Sequence, residues 1–267
     1  MSADGELEGS VAVVTGAFGK LGPVWVNALA GARAAVVGLD VRDDGAAQLA
    51  ERAESAGGSF RLELADVTDR AALGEVARQV EATDGVPSVL VNSAGIDQPP
   101  SAEGRTTRIE DVPTEDFRRT LDVNLTGTFN ASQAFGARMA EAGRGSIVNI
   151  GSLYASIAPD PSFYDHLEVD PPFLKPAAYG ASKAGVLNLM RYFARLWGPR
   201  GVRVNALSPG GVRGGQDAEF VRKYCARVPL GRMAEADDLA GPLLFLVSDS
   251  SRYLTGHELR VDGGFTA

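Results

Sequence analysis

Short runs rich in β-branched and aliphatic residues recur along the 267-residue chain, and longer stretches of helical period fill the gaps between them. Runs at 11–15, 34–39, 60–64, 88–91, 146–150 and 203–207 have the length and composition of strands buried in a sheet. The intervening pattern predicts helices over about 20–31, 43–56, 69–82, 114–141 and 177–198. A further helix near 235–247 and a last strand at 257–261 close the chain. Strands separated by helical crossovers predict an α/β fold, a doubly wound parallel sheet of about seven strands. No repeat, low-complexity tract or linker divides the sequence, so a single domain over 1–267 is expected.

Two segments break the repeating unit. Residues 96–113 are polar and carry proline, and residues 153–176 hold Pro159, Pro161, Pro171, Pro172 and Pro176. The second cannot be a continuous helix. Long loops in a compact domain are usually functional or disordered, so 153–176 is expected to be an inserted loop near the active site.

Composition narrows the class. Hydrophobic residues make up 45% of the chain and charged residues 22%, as in ordinary soluble proteins. A net charge of −8 without a basic stripe argues against nucleic acid. The start, Met-Ser-Ala-Asp-Gly-Glu, resembles no secretory signal, and no run reaches the length of a membrane span, so a cytoplasmic, membrane-free protein is expected. The single cysteine, Cys225, rules out an internal disulfide and lacks the neighbours of a zinc site. It lies in a helical stretch and reads as a packing residue; no metal is expected.

The first strand runs directly into Thr15-Gly16-Ala17-Phe18-Gly19-Lys20-Leu21-Gly22, which opens a helix. Glycines after a strand permit a tight turn and close approach of a pyrophosphate to a helix N-terminus. Asp40 follows 18 residues after Gly22, near the spacing of the carboxylate that accepts hydrogen bonds from an adenosine ribose. A carboxylate there repels a 2′-phosphate, which favours NAD over NADP, although Lys20 and Arg42 are cations that can reach such a phosphate. Asp66-Val67 and Asn92-Ser93-Ala94-Gly95 close the next two strands, where ligands of parallel sheets bind.

Tyr179-Gly180-Ala181-Ser182-Lys183 puts a phenol and an ammonium at i and i+4, with Cβ atoms about 5–6 Å apart on one helix face. For a tyrosine to act as a base near neutrality, its pKa must fall by roughly three units, or about 4 kcal/mol. A neighbouring cation supplies part of that.

Taken in order, Thr15–Gly22, Asp66-Val67, Asn92–Gly95, Asp-Val-Asn124-Leu-Thr-Gly, Ile-Val-Asn-Ile-Gly-Ser152, Tyr179/Lys183 and Ser208-Pro209-Gly210 resemble the short-chain dehydrogenase/reductase family over roughly 8–265. The ending, Tyr253-Leu254-Thr255-Gly256 to Val261-Asp262-Gly263-Gly264, resembles it too. The resemblance implies a Rossmann-type oxidoreductase that moves a hydride between nicotinamide and a secondary alcohol or ketone. It implies that Ser152 and Tyr179 hold the substrate oxygen, that Tyr179 exchanges its proton, and that Lys183 lowers the tyrosine pKa and binds the nicotinamide ribose. Asn124 would hold a relay water. The cofactor would lie along Gly16, Phe18, Gly19, Lys20, Leu21, Gly22, Asp40, Asp66, Val67, Asn92, Ala94, Gly95, Tyr179, Lys183, Pro209, Gly210 and Val212. Tyr154 would join Ser152 and Tyr179 on the substrate, and a homodimer or homotetramer is implied.

Three positions depart from the family pattern. Lys20 replaces a glycine, Gly214-Gly215 stand where a threonine often follows the Pro-Gly pair, and Ser152 and Tyr179 are 27 residues apart, more than is usual. The inserted prolines account for the last. Around 151–160 and 176–179 the chain also resembles dehydrogenases of bacterial unusual-sugar pathways, nonulosonic acids included, which suggests a polyhydroxylated, small-molecule substrate. The rival readings are an NADP-dependent reductase of an apolar ketone or acyl-thioester, and a nucleotide-sensing protein without catalysis.

Overall fold

The computed structural model describes residues 6–97 and 106–267; the expected loop 96–113 therefore lies partly outside the described residues. Seven strands form one parallel sheet: β1 (Val11–Thr15), β2 (Ala35–Asp40), β3 (Ser59–Leu64), β4 (Val89–Asn92), β5 (Gly145–Ile150), β6 (Val202–Pro209) and β7 (Glu258–Val261). Their order is β3-β2-β1-β4-β5-β6-β7, so the chain reverses its direction of travel between β1 and β4. That switch opens a crevice at the carboxyl ends of the strands, the usual ligand site of such sheets.

Every residue of β1 is buried, because helices cover both faces. Ala12 and Val14 face one core with Trp25 and Leu29 of α1 (Gly22–Gly31). Val11 and Val13 face the other with Leu73 and Val76 of α3 (Arg70–Thr83). The helix α2 (Ala46–Ser55) adds Leu49 and Ala53 to the first core. The side chain of Asp69 caps α3 by accepting from the amides of Ala71 at 2.9 Å and Ala72 at 3.0 Å.

The expected helix 114–141 is a rod of five pieces. α4 (Thr114–Leu121), α5 (Gly127–Ala131) and α6 (Ala137–Ala142) are joined by π-helical turns at Asp122–Thr126 and Ser132–Gly136. A π turn inserts an extra residue into the helical repeat, and such turns are frequent at functional sites. The long helix α7 (Ala177–Trp197) carries Leu187, Met190, Phe193 and Trp197 into the second core, with Phe193 stacked on Trp197 at 4.4 Å between centroids. The stretch around Cys225 is helix α8 (Ala218–Cys225), and the expected helix 235–247 begins as a 3₁₀ turn before α9 (Ala240–Val247).

The 153–176 segment is ordered by packing of its own. Leu153, Phe163 and Tyr164 form a third apolar cluster with Phe220 and Tyr224 of α8. Ion pairs from Asp165 to Lys223 and Asp160 to Arg227, and a hydrogen bond between His166 and Asp217 at 2.8 Å, bind it further to α8 and its approaches. No helix among the described residues is long and apolar enough to cross a membrane.

At the start of α1, a Cβ added to Gly22 would lie 2.2 Å from the carbonyl oxygen of Gly16. Gly22→Ala should therefore cost about 2 kcal/mol or more and lower Tm by about 5 °C or more. Thermal unfolding followed by circular dichroism measures it, and an unchanged Tm would show that the turn relaxes freely.

Candidate active site

The turn after β1 is forced close to the turn after β4. Gly16 has φ of +71°, and a Cβ there would sit 2.8 Å from the Ala94 Cα. The hydroxyl of Thr15 accepts from the amides of Ser93 at 3.0 Å and Ala94 at 3.1 Å, and the Trp25 indole donates to the Ser93 hydroxyl at 2.9 Å. A roughly 1830 Å³ cavity opens above these turns and runs across the strand ends from Asp40 to Tyr224. It exceeds the roughly 300–1,000 Å³ of a single small-ligand pocket, so it has room for a dinucleotide and a second small molecule.

Most of the expected residues line this cavity: Gly16, Gly19, Lys20, Leu21, Asp40, Asp66, Val67, Ala94, Gly95, Ser152, Tyr154, Tyr179, Lys183, Pro209, Gly210 and Val212. Four stand behind the wall. Phe18 gives its amide to the Asp40 carboxylate at 2.9 Å, and Gly22 packs against the turn. Asn92 turns its amide inward to Ser132 at 3.0 Å and Asn149 at 2.8 Å. Asn124, fully buried, spends its side chain on the main chain of Ile96, accepting at 2.8 Å and donating at 3.1 Å, and on Ser182 at 3.0 Å. With those atoms committed, the Asn124 side chain holds the strand-end turn rather than offering a free group to a relay water.

At the β2 end, the Asp40 carboxylate also accepts from the amides of Val41 at 2.8 Å and Arg42 at 3.3 Å. The Arg42 guanidinium lies beside it, donating to the Phe18 carbonyl at 3.0 Å. Lys20 points the other way: its ammonium donates to the Val212 carbonyl at 2.9 Å, beyond β6. Burial and the nearby Lys175 lower its pKa, with Asp97 opposing. Lys20 thus bridges the glycine turn and the 210–215 loop, which Tyr224 also holds by accepting from the Gly211 amide at 2.5 Å. No pattern in the sequence points to Tyr224, whose role depends on a contact from α8.

The chemistry centres on α7. Tyr179 and Ser152 are hydrogen-bonded through their hydroxyls, and Ser152 also accepts from the Tyr154 amide at 3.2 Å. Lys183 is buried, donates to the Ile150 carbonyl at 2.8 Å and lies 5.9 Å from the Tyr179 ring centroid. Burial pushes the Tyr179 phenol up to about 12, with Asp97 adding to the shift and the Ser152 hydrogen bond opposing it. Burial also pushes the Lys183 ammonium down to about 8, again with Asp97 opposing. Desolvation of the phenolate thus sets the direction of the shift, opposite to the lowering expected from Lys183. Near neutrality the site holds a neutral phenol beside a charged ammonium, a proton donor poised at the Ser152 hydroxyl.

The two long loops meet over this centre. Lys175 pairs with Asp97 and lies 5.2 Å from the Tyr179 ring, while the Thr106 hydroxyl donates to the Pro171 carbonyl. Tyr154, Tyr164 and Lys175 of the proline-rich segment line the cavity; Asp165 and His166 are instead turned to α8. Asp97, two residues beyond the Asn-Ser-Ala-Gly motif, was not anticipated from sequence, because Lys175, with which it pairs, is 78 residues away.

Among the described residues no group of His, Cys, Asp and Glu is arranged to hold a metal. A family model described as an enoyl-(acyl carrier protein) reductase matches residues 17–266. The D-threitol dehydrogenase of Mycolicibacterium smegmatis is 36% identical over 271 residues, covering 98% of this chain and 95% of that protein. This chain belongs to the short-chain dehydrogenase/reductase family. Among solved short-chain dehydrogenases, a gluconate 5-dehydrogenase from Burkholderia cenocepacia in complex with NADP and tartrate superposes with a TM-score of 0.85, at 31% identity and 100% and 99% coverage. One from Leptospira borgpetersenii with bound NAD+ superposes equally well, at 33% identity and 98% and 94% coverage.

A short-chain dehydrogenase using Tyr179 as its acid/base should lose turnover by about 10² or more in Tyr179→Phe, while cofactor affinity changes little. Alcohol oxidation requires the raised phenol to give up its proton, so kcat/KM in that direction should climb as pH rises from 6 to 9. Steady-state rates across that range, with NADH affinity from fluorescence titration, test both. A Tyr179→Phe enzyme with more than about a tenth of wild-type turnover, or an oxidation profile that falls with pH, would remove Tyr179 from this role.

Proposed function

We propose that this enzyme catalyses reversible oxidation of a secondary alcohol in a polyhydroxylated small molecule, with NAD as its favoured cofactor. The observation that carries the reading is the Ser152–Tyr179 hydroxyl pair beside buried Lys183, in a cavity whose far end is lined by Tyr154, Tyr164, Lys175 and Asp97. The fit of a dinucleotide rests on the close turn at Gly16 and Gly22, where any side chain would strike neighbouring backbone and push the turn apart, and on the Asp40 carboxylate at the β2 end. A nicotinamide, when bound, supplies or accepts the hydride. Ser152 and Tyr179 then hold the substrate oxygen, and Tyr179 passes its proton. Lys183 keeps a positive charge next to that transfer, in a position to meet a ribose hydroxyl. Asn124 acts as a positioning residue through Ile96.

The polar substrate end disfavours the alternative of an apolar ketone or acyl-thioester, because unpaired polar groups would be buried against a substrate that cannot bond them. A nucleotide sensor without catalysis has no use for the hydroxyl pair. The relatives that act on threitol and gluconate by name support a polyhydroxylated substrate. A homodimer or homotetramer is part of the same reading, supported by exposed Phe129, Tyr192 and Leu196 on α5 and α7.

The decisive experiment is a panel of polyols, sugar acids and cyclic ketones with NAD(H) and NADP(H), followed at the nicotinamide absorbance. Oxidation of at least one polyhydroxylated alcohol is expected, and turnover confined to apolar ketones would reject the reading. Cofactor preference tests Asp40. A 2′-phosphate against this carboxylate should cost several kcal/mol, about 10²-fold or more in affinity, and Asp40→Ala should narrow the gap. Wild-type preference for NADP would shift the role to Arg42, which stands beside Asp40; Lys20 is turned away toward Val212.

A further inference from the structure

Two of the positions where this chain departs from its family lie far apart in sequence and meet in space. Lys20 stands in the glycine turn after β1 in place of a glycine, and Gly214 stands in the loop after β6 where a threonine often follows the Pro-Gly pair. A Cβ added to Gly214 would lie 2.9 Å from the Lys20 ammonium nitrogen and 3.1 Å from the carbon that bears it. Glycine at 214 thus leaves clear the space that the lysine occupies. The ammonium donates to the Val212 carbonyl at 2.9 Å. That bond joins the end of β1 to the loop beyond β6, and β4 and β5 lie between those two strands in the sheet. Lys20 and Val212 both line the cavity, so the lysine ties one wall of it to another.

A brace between the two loops would account for the bond but not for a charged group making it. The Val212 carbonyl already accepts from the Gln216 side chain at 2.9 Å. Its loop is pinned again through Gly211, whose amide meets the Tyr224 hydroxyl and whose carbonyl accepts from the Ala234 amide at 2.9 Å. Among the described residues Lys20 forms no ion pair, and Val212 is its one hydrogen-bond partner. An ammonium has three N–H donors, so capacity remains for a ligand in the cavity. The helix that opens from the same turn also has positive character to offer. α1 has no side-chain cap and no acidic residue in its first turn, whereas Asp69 caps α3. A free helix N-terminus and an ammonium on one turn favour an anion. Bonds from an ammonium to phosphate oxygens are roughly twice as strong as those between neutral groups, so a diphosphate makes better use of Lys20 than a second donor to Val212 does.

We propose that Lys20 is the diphosphate clasp of this dehydrogenase: one N–H holds the loop after β6, the others bind the diphosphate of the cofactor, and Gly214 keeps the space for it. The inference rests on the reading of the cavity as a dinucleotide site. It separates Lys20 from Arg42, which stands at the β2 end beside Asp40. Lys20 is open to the cavity rather than buried, so its attraction for the diphosphate is screened by salt.

The test measures binding of NADH by fluorescence titration, and of ADP-ribose by competition against it, from about 50 to about 300 mM salt. NADPH replaces NADH if it binds the tighter. Wild type, Lys20→Met, Gly214→Ala and the double variant are compared, with Tm of each free protein in parallel. Lys20→Met should weaken NADH and ADP-ribose alike by about 10-fold at low salt and flatten the salt dependence. Gly214→Ala, which pushes the ammonium out of place, should weaken NADH by about 3-fold or more, and no further once residue 20 is changed. NADH affinity within about twofold of wild type in Lys20→Met would overturn the proposal. So would a loss for NADH without one for ADP-ribose, which would move the ammonium to the nicotinamide end. A loss with the wild-type salt dependence would show a brace alone and overturn it too, as would equal losses from Gly214→Ala with and without Lys20. Should Lys20→Met fail to fold, Lys20→Gln and Gly214→Ala decide by the same criteria. A wild-type protein that binds neither NADH nor NADPH would overturn the dinucleotide reading itself, whereas tight binding that ignores Lys20 would overturn only the clasp.

Discussion

The whole site depends on how closely two turns approach at the switch between β1 and β4. Gly16 must adopt a positive φ with Ala94 against its missing side chain, and the Thr15 hydroxyl ties that approach down by accepting two amides from the opposite turn. Because the strands are parallel and in register, Thr15 pairs with Asn92, and Asn92 with Asn149. A hydrogen bond at the end of β1 thereby sets the level at which the β4 and β5 loops leave the sheet. Asp40, Gly95 and Ser152 emerge at one edge as a consequence, although no two of them are neighbours in sequence.

Desolvation then sets the character of the chemistry. The cavity wall removes water from both Tyr179 and Lys183 and moves their pKa values toward the neutral forms, up to about 12 and down to about 8. Two neutralising shifts of opposite sign leave the donor protonated and the cation only just charged at physiological pH. An arrangement of this kind is responsive: added positive charge near the phenol stabilises its anion strongly in a poorly solvated place. The hydrogen bond to Ser152 gives the proton a defined acceptor direction, while the Ile96–Asn124 and Lys183–Ile150 bonds hold the two loops that frame it.

Much of this was legible in the sequence. The strands were found within a residue or two because burial on both faces leaves runs such as Val-Ala-Val-Val-Thr with no polar interruption. The i, i+4 spacing singled out Tyr179 and Lys183 and the family resemblance pointed to Ser152, and all three line one cavity. The π turns at 122–126 and 132–136 were not legible, since one extra residue hardly changes an apolar period. The inward turn of Asn92, the commitment of Asn124 to Ile96 and the pairing of His166 with Asp217 depend on partners 28 to 57 residues distant. The direction of the Tyr179 shift was missed for a related reason: a cation four residues away is visible in sequence, whereas the loss of water around a ring is a property of the assembled cavity.

The proline-rich segment shows how an insertion can line a cavity without loosening its centre. Its polar groups divide into two sets. Asp160, Asp165 and His166 bind α8 and its flanks, and with Phe163 and Tyr164 they give the segment a core of its own. That anchoring frees Tyr154 and Lys175 to face the cavity from a firm base. The same α8 holds the Gly211 amide through Tyr224. One short helix therefore supports one wall of the cavity and the loop that closes over the β6 end. Replacing the segment wholesale would uncover Phe220 and Tyr224 and disturb both, so the part it plays at the cavity is separable only at single side chains that face inward.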